Sequence, residues 1–252
     1  MVQQQVLLSR LNEWLQPNMV RDFCPNGLQV EGCHEIKKIL CGVTATQALI
    51  DRALETGADT LLVHHGYFWK SENPSIVGMK RRRLASLLVN NINLFAYHLP
   101  LDIHPEFGNN AGLARQLELV VEGQIDAGGT PGLLWYGRLP RPMTHTDLNE
   151  YVSHRLSRAP LVVSGGKEKV ETVAWCTGGA QGFIDDAHAL GVDAYISGEI
   201  SEQTTHSARE QGITYIAAGH HASERYGVQL LGERVRKEFD VIVEYCELAN
   251  PA

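Results

Sequence analysis

Two pairs of potential metal ligands recur in this sequence at the same spacing. His98 and Asp102 are four residues apart, as are His220 and Glu224, and the pairs lie 122 positions from each other. Imidazole and carboxylate groups are ligands that Fe, Mn, Ni and Zn accept in open sites. The recurrence predicts a metal site to which both halves of the chain contribute, with His220 and Glu224 on one helical face.

The adjacent residues His64 and His65 are a third candidate. They follow the apolar segment Leu61–Val63, so both imidazoles lie at the C-terminal end of a predicted strand, where α/β proteins gather their ligands. Neighbouring side chains of a strand point to opposite faces, and Gly66 permits the turn that would bring both rings to one cavity. Two hydrogen-bonded histidines without a metal are the plain alternative.

His98 and Asp102 also follow an apolar predicted strand, and Pro100 between them is expected to prevent simple helical continuation. Asp102 is the better ligand candidate, because a carboxylate can bridge two cations. His98 is interpreted as a ligand, a partner of a ligand or a proton shuttle, with a packed histidine as the alternative. His221 is taken as the non-ligand of the C-terminal pair, although the sequence barely separates it from His220.

Five nitrogen and oxygen ligands suit two ions that share a bridging carboxylate or water better than they suit one. Such a centre activates water, so the leading hypothesis is a metal-dependent hydrolase, with His98 as general acid or base. The alternative is a non-catalytic protein that uses the same ligands for regulation, interaction or metal handling. An open coordination position beside a pocket would favour the enzyme.

A glycine-rich turn, Thr177–Gly182, follows a predicted strand and precedes a predicted helix. Backbone N–H groups in such a turn can hold an anion, so Gly178 and Gly179 are candidate residues for binding a phosphorylated or nucleotide-like small molecule. The turn is neither a dinucleotide fingerprint nor a P-loop. A tight strand-to-helix turn without a ligand is the alternative.

The elements that must position these residues alternate between helical and strand patterns, which predicts an α/β fold with mixed sheets covered by helices. Two segments, 47–65 and 181–199, align without a gap at an offset of 134 and share six of 19 residues. This predicts an internal duplication with repeats at 1–125 and 126–252. The glycine-rich segment Gly123–Gly132 is the boundary signal.

Composition excludes several classes of protein. A net charge of −7 argues against a general nucleic-acid surface, and the one basic cluster, Lys80–Arg83, is interpreted as a solvated or subunit-contact patch. No apolar stretch approaches the ~18 residues of a membrane span, and the N-terminus has no basic start or cleavage site, so a cytoplasmic location is expected. Five cysteines without a CxxC motif indicate neither a disulfide framework nor a thiolate zinc site.

Seven segments together resemble the Nif-three-like family, in the short bacterial form labelled a type 2 GTP cyclohydrolase I homologue. They are PNGLQVEG (25–32), VHHG (63–66), HLPLD (98–102), GNN (108–110), CTGGAQGFI (176–184), DAYISGE (193–199) and AGHHASE (218–224).

The resemblance implies two intertwined, duplicated α/β repeats, a dinuclear centre of divalent transition-metal ions and a toroidal homohexamer. The implied ligands are His64, His65, Asp102, His220 and Glu224, with His98 close by. The sequence departs from the family where Gly-Asp is usual after the second-repeat strand. Glu199 follows Gly198 there, and it is expected to be a residue of the cavity only.

Overall fold

The computed structural model describes all 252 residues, which form two compact units. Unit 1 comprises Met1–Gly108 and Gly227–Ala249, and unit 2 comprises Asn109–Tyr226 and Asn250–Ala252. Unit 1 therefore gathers residues from both ends of the chain.

Thirteen strands are present. They are β1 (Val2–Gln3), β2 (Gly27–Val30), β3 (Glu35–Ile36), β4 (Lys38–Thr44), β5 (Thr60–His65), β6 (Asn93–Ala96), β7 (Val120–Ala127), β8 (Thr130–Thr144), β9 (Leu161–Val163), β10 (Lys169–Cys176), β11 (Ala194–Ser197), β12 (Thr214–Ala217) and β13 (Ile242–Tyr245). Nine α-helices accompany them. They are α1 (Gln4–Leu15), α2 (Gln47–Thr56), α3 (Gly78–Val89), α4 (Leu99–Asp102), α5 (Asn109–Gln116), α6 (His145–Leu156), α7 (Ile184–Ala189), α8 (Glu202–Gln211) and α9 (His220–Glu238).

Unit 1 is built on a five-stranded sheet of order β13-β4-β5-β6-β2, in which only β2 is antiparallel to its neighbour. Side chains alternate between its faces, as the pleat requires. Ile39 and Cys41 pack into one hydrophobic cluster with residues of α1 and α9, whereas Leu40 packs into a second cluster with residues of α2 and α3. Helices therefore cover both faces.

Unit 2 is built on a six-stranded sheet of order β7-β8-β10-β11-β12-β9. The three strands β10, β11 and β12 are parallel, and all other pairs are antiparallel. Its main hydrophobic cluster packs Val173 and Trp175 of the sheet against Leu148 and Val152 of α6. The predicted α/β class with mixed sheets is confirmed in both units.

The predicted boundary signal, Gly123–Gly132, is the turn region of a hairpin formed by β7 and β8. Gly128 and Gly129 have φ of +57° and +78° and make the tight connection, so these glycines mark a turn within unit 2. The compact units part after Gly108 instead. The division into repeats 1–125 and 126–252 stays a prediction about duplication, because compactness and sequence correspondence are different properties.

The segments aligned at the offset of 134 make the same contacts in their own units. Asp59 Oδ2 accepts hydrogen bonds from the backbone N–H groups of Lys37 and Lys38. Asp193 Oδ2 accepts the corresponding bonds from Glu171 and Thr172. Each aspartate thus precedes one parallel strand, β5 or β11, and bonds the backbone of the neighbouring strand, β4 or β10.

Replacing Asp193 with asparagine is expected to destabilise unit 2. Burial raises the pKa of this carboxyl, but Lys167 and the N–H groups of Thr172 and Glu171 outweigh burial and lower the pKa from 3.8 to about 2. Asp193→Asn should reduce the free energy of unfolding at neutral pH by about 1–2 kcal/mol, allowing for the exposure of Lys167.

The pH dependence of this effect follows from the lowered pKa. The stabilisation is fully present above about pH 4 and is lost as the pH falls through about 2. Urea unfolding at neutral pH and at about pH 2 measures it. Asp240→Asn, at a fully exposed aspartate, is the control and should have little effect at either pH. Equal losses for Asp193→Asn at both pH values would contradict the assignment.

No helix of the structure is both long and apolar enough to span a membrane. All five cysteines are free.

Candidate metal centre

Strand β5 ends in His64 and His65, whose ring centroids lie 4.4 Å apart. His64 is completely buried, and its Nδ1–H donates to the carbonyl oxygen of Tyr97 at 2.9 Å. Because a carbonyl can only accept, Nδ1 carries the proton of the neutral ring and Nε2 keeps its lone pair. His65 Nδ1 lies 3.2 Å from the hydroxyl of Thr44. The strand end therefore presents two imidazoles side by side.

Asp102 lies on the short helix α4, across which Pro100 was predicted to prevent simple helical continuation. That prediction is wrong, because Pro100 is in the first turn, where its missing N–H deprives the helix of no hydrogen bond. Asp102 is buried, and its Oδ1 lies 3.5 Å from His64 Nε2. The two atoms, an imidazole nitrogen and a carboxylate oxygen, can share a proton or ligate a cation.

His98 joins this cluster from the end of β6. Its ring centroid lies 5.1 Å from that of His64 and 5.8 Å from that of His65. One nitrogen from each of the three rings lies within 4.8 Å of the others. Unit 1 therefore brings together His64, His65, His98 and Asp102, all of which the sequence analysis named.

Asp22 is a site residue that the sequence analysis missed. It is buried, and its Oδ1 accepts a hydrogen bond from His98 Nδ1 at 2.7 Å. Burial raises the pKa of Asp22, but the hydrogen bond and charge of His98 lead the effects that outweigh burial and lower it. The two residues are 76 positions apart, and only the neighbouring motif at Pro25–Gly32 gave a signal in this region.

In unit 2, His220 begins helix α9 and lies between two carboxylates. Its Nε2 is 2.9 Å from Glu224 Oε2, one turn along the helix, and its Nδ1 is 2.7 Å from Glu199 Oε1. Burial lowers the pKa of His220, but Glu224 and then Glu199 outweigh burial and raise the pKa to about 9. At neutral pH His220 thus holds a proton on each nitrogen. A divalent cation would compete with the proton on Nε2.

Glu199 therefore orients His220, a more specific role than the cavity position expected from the sequence. Glu199 Oε2 also accepts a hydrogen bond from Gln181 Nε2 at 3.2 Å, so four side chains form a chain from Gln181 to Glu224. Carboxylates in this position fix the ring of a ligating histidine and raise its basicity.

The glycine turn packs against Glu224. Gly178 has a φ of +68°, and a Cβ added there would lie 1.8 Å from Glu224 Oε1 and 3.2 Å from His220 Nε2. Its N–H donates to Ser223 Oγ at 3.0 Å. The Gly178 N–H is thus occupied within unit 2, which argues against its binding an anion. An anion-binding role for Gly179 stays a prediction.

The strand registers show that the recurring pairs His98/Asp102 and His220/Glu224 do not occupy equivalent positions in the two units. Thr60 pairs with Asn93 in unit 1, and its counterpart Ala194 pairs with Thr214 in unit 2. The sequence offset between corresponding residues is therefore 134 for β5 and β11 but 121 for β6 and β12. By the second offset His98 corresponds to Gly219, not to His220, so the spacing of 122 residues between the two motifs does not relate equivalent positions.

The donor sets fit a divalent transition metal. They consist of imidazole nitrogens and carboxylate oxygens, which Fe, Mn, Ni and Zn accept. Cys24 lies near this cluster in unit 1, but burial, followed by the charge of Asp22, raises the pKa of its thiol to about 12. In the metal-free protein Cys24 is therefore a protonated thiol at neutral pH.

Comparison with known proteins identifies the family and the fold of this chain. The sequence model of the Duf34/NIF3 (NGG1p interacting factor 3) family matches residues 2–251. A Pseudomonas aeruginosa protein named GTP cyclohydrolase 1 type 2 homolog is 54% identical over 246 residues, covering 98% of this chain and 97% of that protein.

Two solved structures share the fold over the full length of both chains. One, described as protein ybgI of unknown function, is 50% identical with a TM-score of 0.96 and 100% coverage of each chain. A protein from Thermus thermophilus is 33% identical with a TM-score of 0.88 and the same coverage.

Proposed function

Because this chain belongs to the Duf34/NIF3 family, we propose that it binds two divalent transition-metal ions and hydrolyses a phosphorylated or nucleotide-like small molecule. The proposed ligands are His64, His65, Asp102, His220 and Glu224. The nucleotide-like substrate rests on the cyclohydrolase name of the relative, and the hydrolytic chemistry rests on the ligand set.

The observation that carries the metal proposal is the convergence of three imidazoles beside a buried carboxylate in unit 1. One nitrogen from each of His64, His65 and His98 lies within 4.8 Å of the others, and Asp102 Oδ1 lies 3.5 Å from His64 Nε2. His64 Nδ1 is held by the Tyr97 carbonyl, which leaves Nε2 as the ligand atom. Histidines that only pack in a hydrophobic core would not need to place their ring nitrogens this close together beside a buried carboxylate.

The number of candidate ligands is compatible with one dinuclear centre. Unit 2 offers His220 and Glu224, and two protein ligands are fewer than the three that an open transition-metal site uses. Unit 1 offers His64, His65 and Asp102. We therefore assign all five to one pair of ions, which leaves coordination positions for water and substrate.

When bound, the two ions would supply Lewis acidity and lower the pKa of water. The chain's own groups then have distinct tasks. Glu199 holds the ring of His220 through Nδ1, while Asp22 holds that of His98 through Nδ1. His98 Nε2 is the atom that would accept a proton from water or return one to a leaving group. A ring of six chains and a cytoplasmic location stay predictions.

Metal-loaded protein is expected to hydrolyse a member of the proposed substrate class. The test uses protein purified without an affinity tag and reconstituted separately with Zn, Mn, Fe(II) or Ni. Metal content is measured beside a screen of phosphate monoesters and nucleoside triphosphates, including GTP. Turnover should require bound metal and should be lost in Glu224→Gln, because the amide is a poorer ligand than the carboxylate.

His221→Ala is the matched control, since it removes the neighbouring imidazole, and it should keep both metal and turnover. Bound metal without turnover of any compound would contradict the hydrolase and support the non-catalytic alternative. A protein that binds one ion or none after reconstitution would contradict the dinuclear centre itself.

A further inference from the structure

We infer that Asp22 is a positioning residue that holds His98 as the Nδ1–H tautomer, so that the Nε2 lone pair faces the His64 and His65 side of the site. This inference deepens the proposed function, because it assigns the group on which the proton transfer by His98 depends. It rests on geometry within unit 1.

Asp22 is fixed by four hydrogen bonds on its two carboxylate oxygens. Oδ1 accepts from His98 Nδ1 at 2.7 Å and from the backbone N–H of Phe23 at 2.6 Å. Oδ2 accepts from the backbone N–H of Leu99 at 2.9 Å and from Asn26 Nδ2 at 2.9 Å. Its side chain is 3% exposed. A buried carboxylate with four donors cannot rotate without losing several bonds at once.

His98 is held at two places by the same short segment of chain. Asn26 Oδ1 accepts the backbone N–H of His98 at 2.7 Å, while Asn26 Nδ2 donates to Asp22. The backbone of His98 and its ring are therefore fixed by residues four positions apart. The arrangement sets where the ring lies as well as which nitrogen is protonated.

The tautomer follows from the chemistry of the carboxylate. An ionised carboxylate has only acceptors, so a 2.7 Å contact requires the proton to be on His98 Nδ1. A neutral imidazole then has an unprotonated Nε2, on the opposite edge of the ring. His64 and His65 approach the His98 ring with centroids at 5.1 and 5.8 Å. A lone pair there can take a proton or bind a cation.

A metal site made of Asp22, Cys24 and His98 is the competing explanation, because their ligand atoms lie within 4.8 Å of one another. The hydrogen bonds of Asp22 count against it, because both carboxylate oxygens already accept two hydrogen bonds each. The cluster is thus better suited to holding the His98 ring than to ligating an ion.

The decisive measurement is the tautomer of His98 in metal-free protein. Nitrogen-15 NMR of histidine-labelled protein near pH 8 distinguishes the two tautomers of a neutral imidazole. The His98 signal is assigned by its absence from a His98→Gln variant. We expect the Nδ1–H form in the unmodified protein. The Nε2–H form would overturn the inference without recourse to any variant.

Asp22→Asn should reverse the tautomer. If the asparagine turns its amide nitrogen toward His98, that nitrogen faces one other donor, the backbone N–H of Phe23. If the nitrogen takes the opposite position, it faces two donors, the backbone N–H of Leu99 and Asn26 Nδ2. The first orientation is favoured, and it makes Nδ1 the acceptor and moves the proton to Nε2. Asp22→Glu keeps an acceptor and should retain the Nδ1–H form. An unchanged tautomer in folded Asp22→Asn would overturn the inference.

Metal binding provides a second readout. Because His98 is not among the proposed ligands, Asp22→Asn should change its tautomer while leaving Zn affinity essentially unchanged, and Cys24→Ser should leave it unchanged as well. A loss of Zn affinity shared by Asp22→Asn and Cys24→Ser would favour the competing metal site and overturn the inference. Because the tautomer is read without metal, failure of the hydrolase proposal would leave that result intact, and the two failures are distinguishable.

Discussion

Alanine at Asp102 or at Glu224 is expected to lower metal occupancy from about two ions per chain to one or fewer, and the double variant should lose little more. The reason is that the two carboxylates are assigned to the same pair of ions, so the first substitution already removes what the second would remove. Each substitution also deletes a buried charge beside a histidine. Metal content after reconstitution and dialysis, compared among the four proteins, measures the coupling.

Independent sites would give a different pattern, in which each substitution removes its own ion and the two losses add. His221→Ala is the control for the C-terminal motif, because the side chain after His220 points about 100° away around the helix. It should retain full occupancy. Loss of metal in His221→Ala together with retention in His220→Ala would show that the assigned ligand of α9 is the wrong residue.

Residues that follow apolar strands were predictable from the sequence for a physical reason. Parallel strands carry their hydrophobic residues in uninterrupted runs, so the polar residue that ends each run marks the edge where ligands gather. His64, His98 and His220 were all found in this way. Glu224 followed from helical periodicity alone.

The supporting residues were not predictable in this way. Asp22 bonds His98 from 76 residues away, and Glu199 bonds His220 from 21 residues away, so no local spacing relates the partners. Glu199 follows a strand and was noticed, but its orienting role depends on the placement of His220 by α9. Contacts of this kind arise from tertiary packing rather than from periodicity.

Two local signals had more than one structural meaning. Pro100 was expected to prevent simple helical continuation, but proline is compatible with the first turn of a helix, where α4 contains it. The Gly123–Gly132 segment was interpreted as the boundary between the repeats, which stays a prediction, and in the structure its glycines with positive φ connect hairpin strands. The recurrence of a histidine and an acid four residues apart misled for a related reason, since the spacing of two residues does not determine the register of the strands before them.

Gly178→Ala is expected to weaken metal binding by about tenfold or more, an effect comparable with loss of a supporting carboxylate. The added Cβ would lie 1.8 Å from Glu224 Oε1 and 2.7 Å from its Cδ, so the carboxylate must move away from its observed position. The backbone φ of +68° adds about 1–2 kcal/mol of strain to the folded protein. Zn titration and urea unfolding measure the two effects separately.

Two glycines provide matched controls that separate strain from displacement of Glu224. Gly57 has the same φ of +68° with nothing within 4 Å of an added Cβ, so Gly57→Ala should cost stability without changing metal affinity. Gly182 lies in the glycine turn, also with nothing within 4 Å, so Gly182→Ala should change neither property greatly. If Gly178→Ala binds Zn normally while Gly182→Ala does not, the contact with Glu224 does not explain why this turn contains glycine.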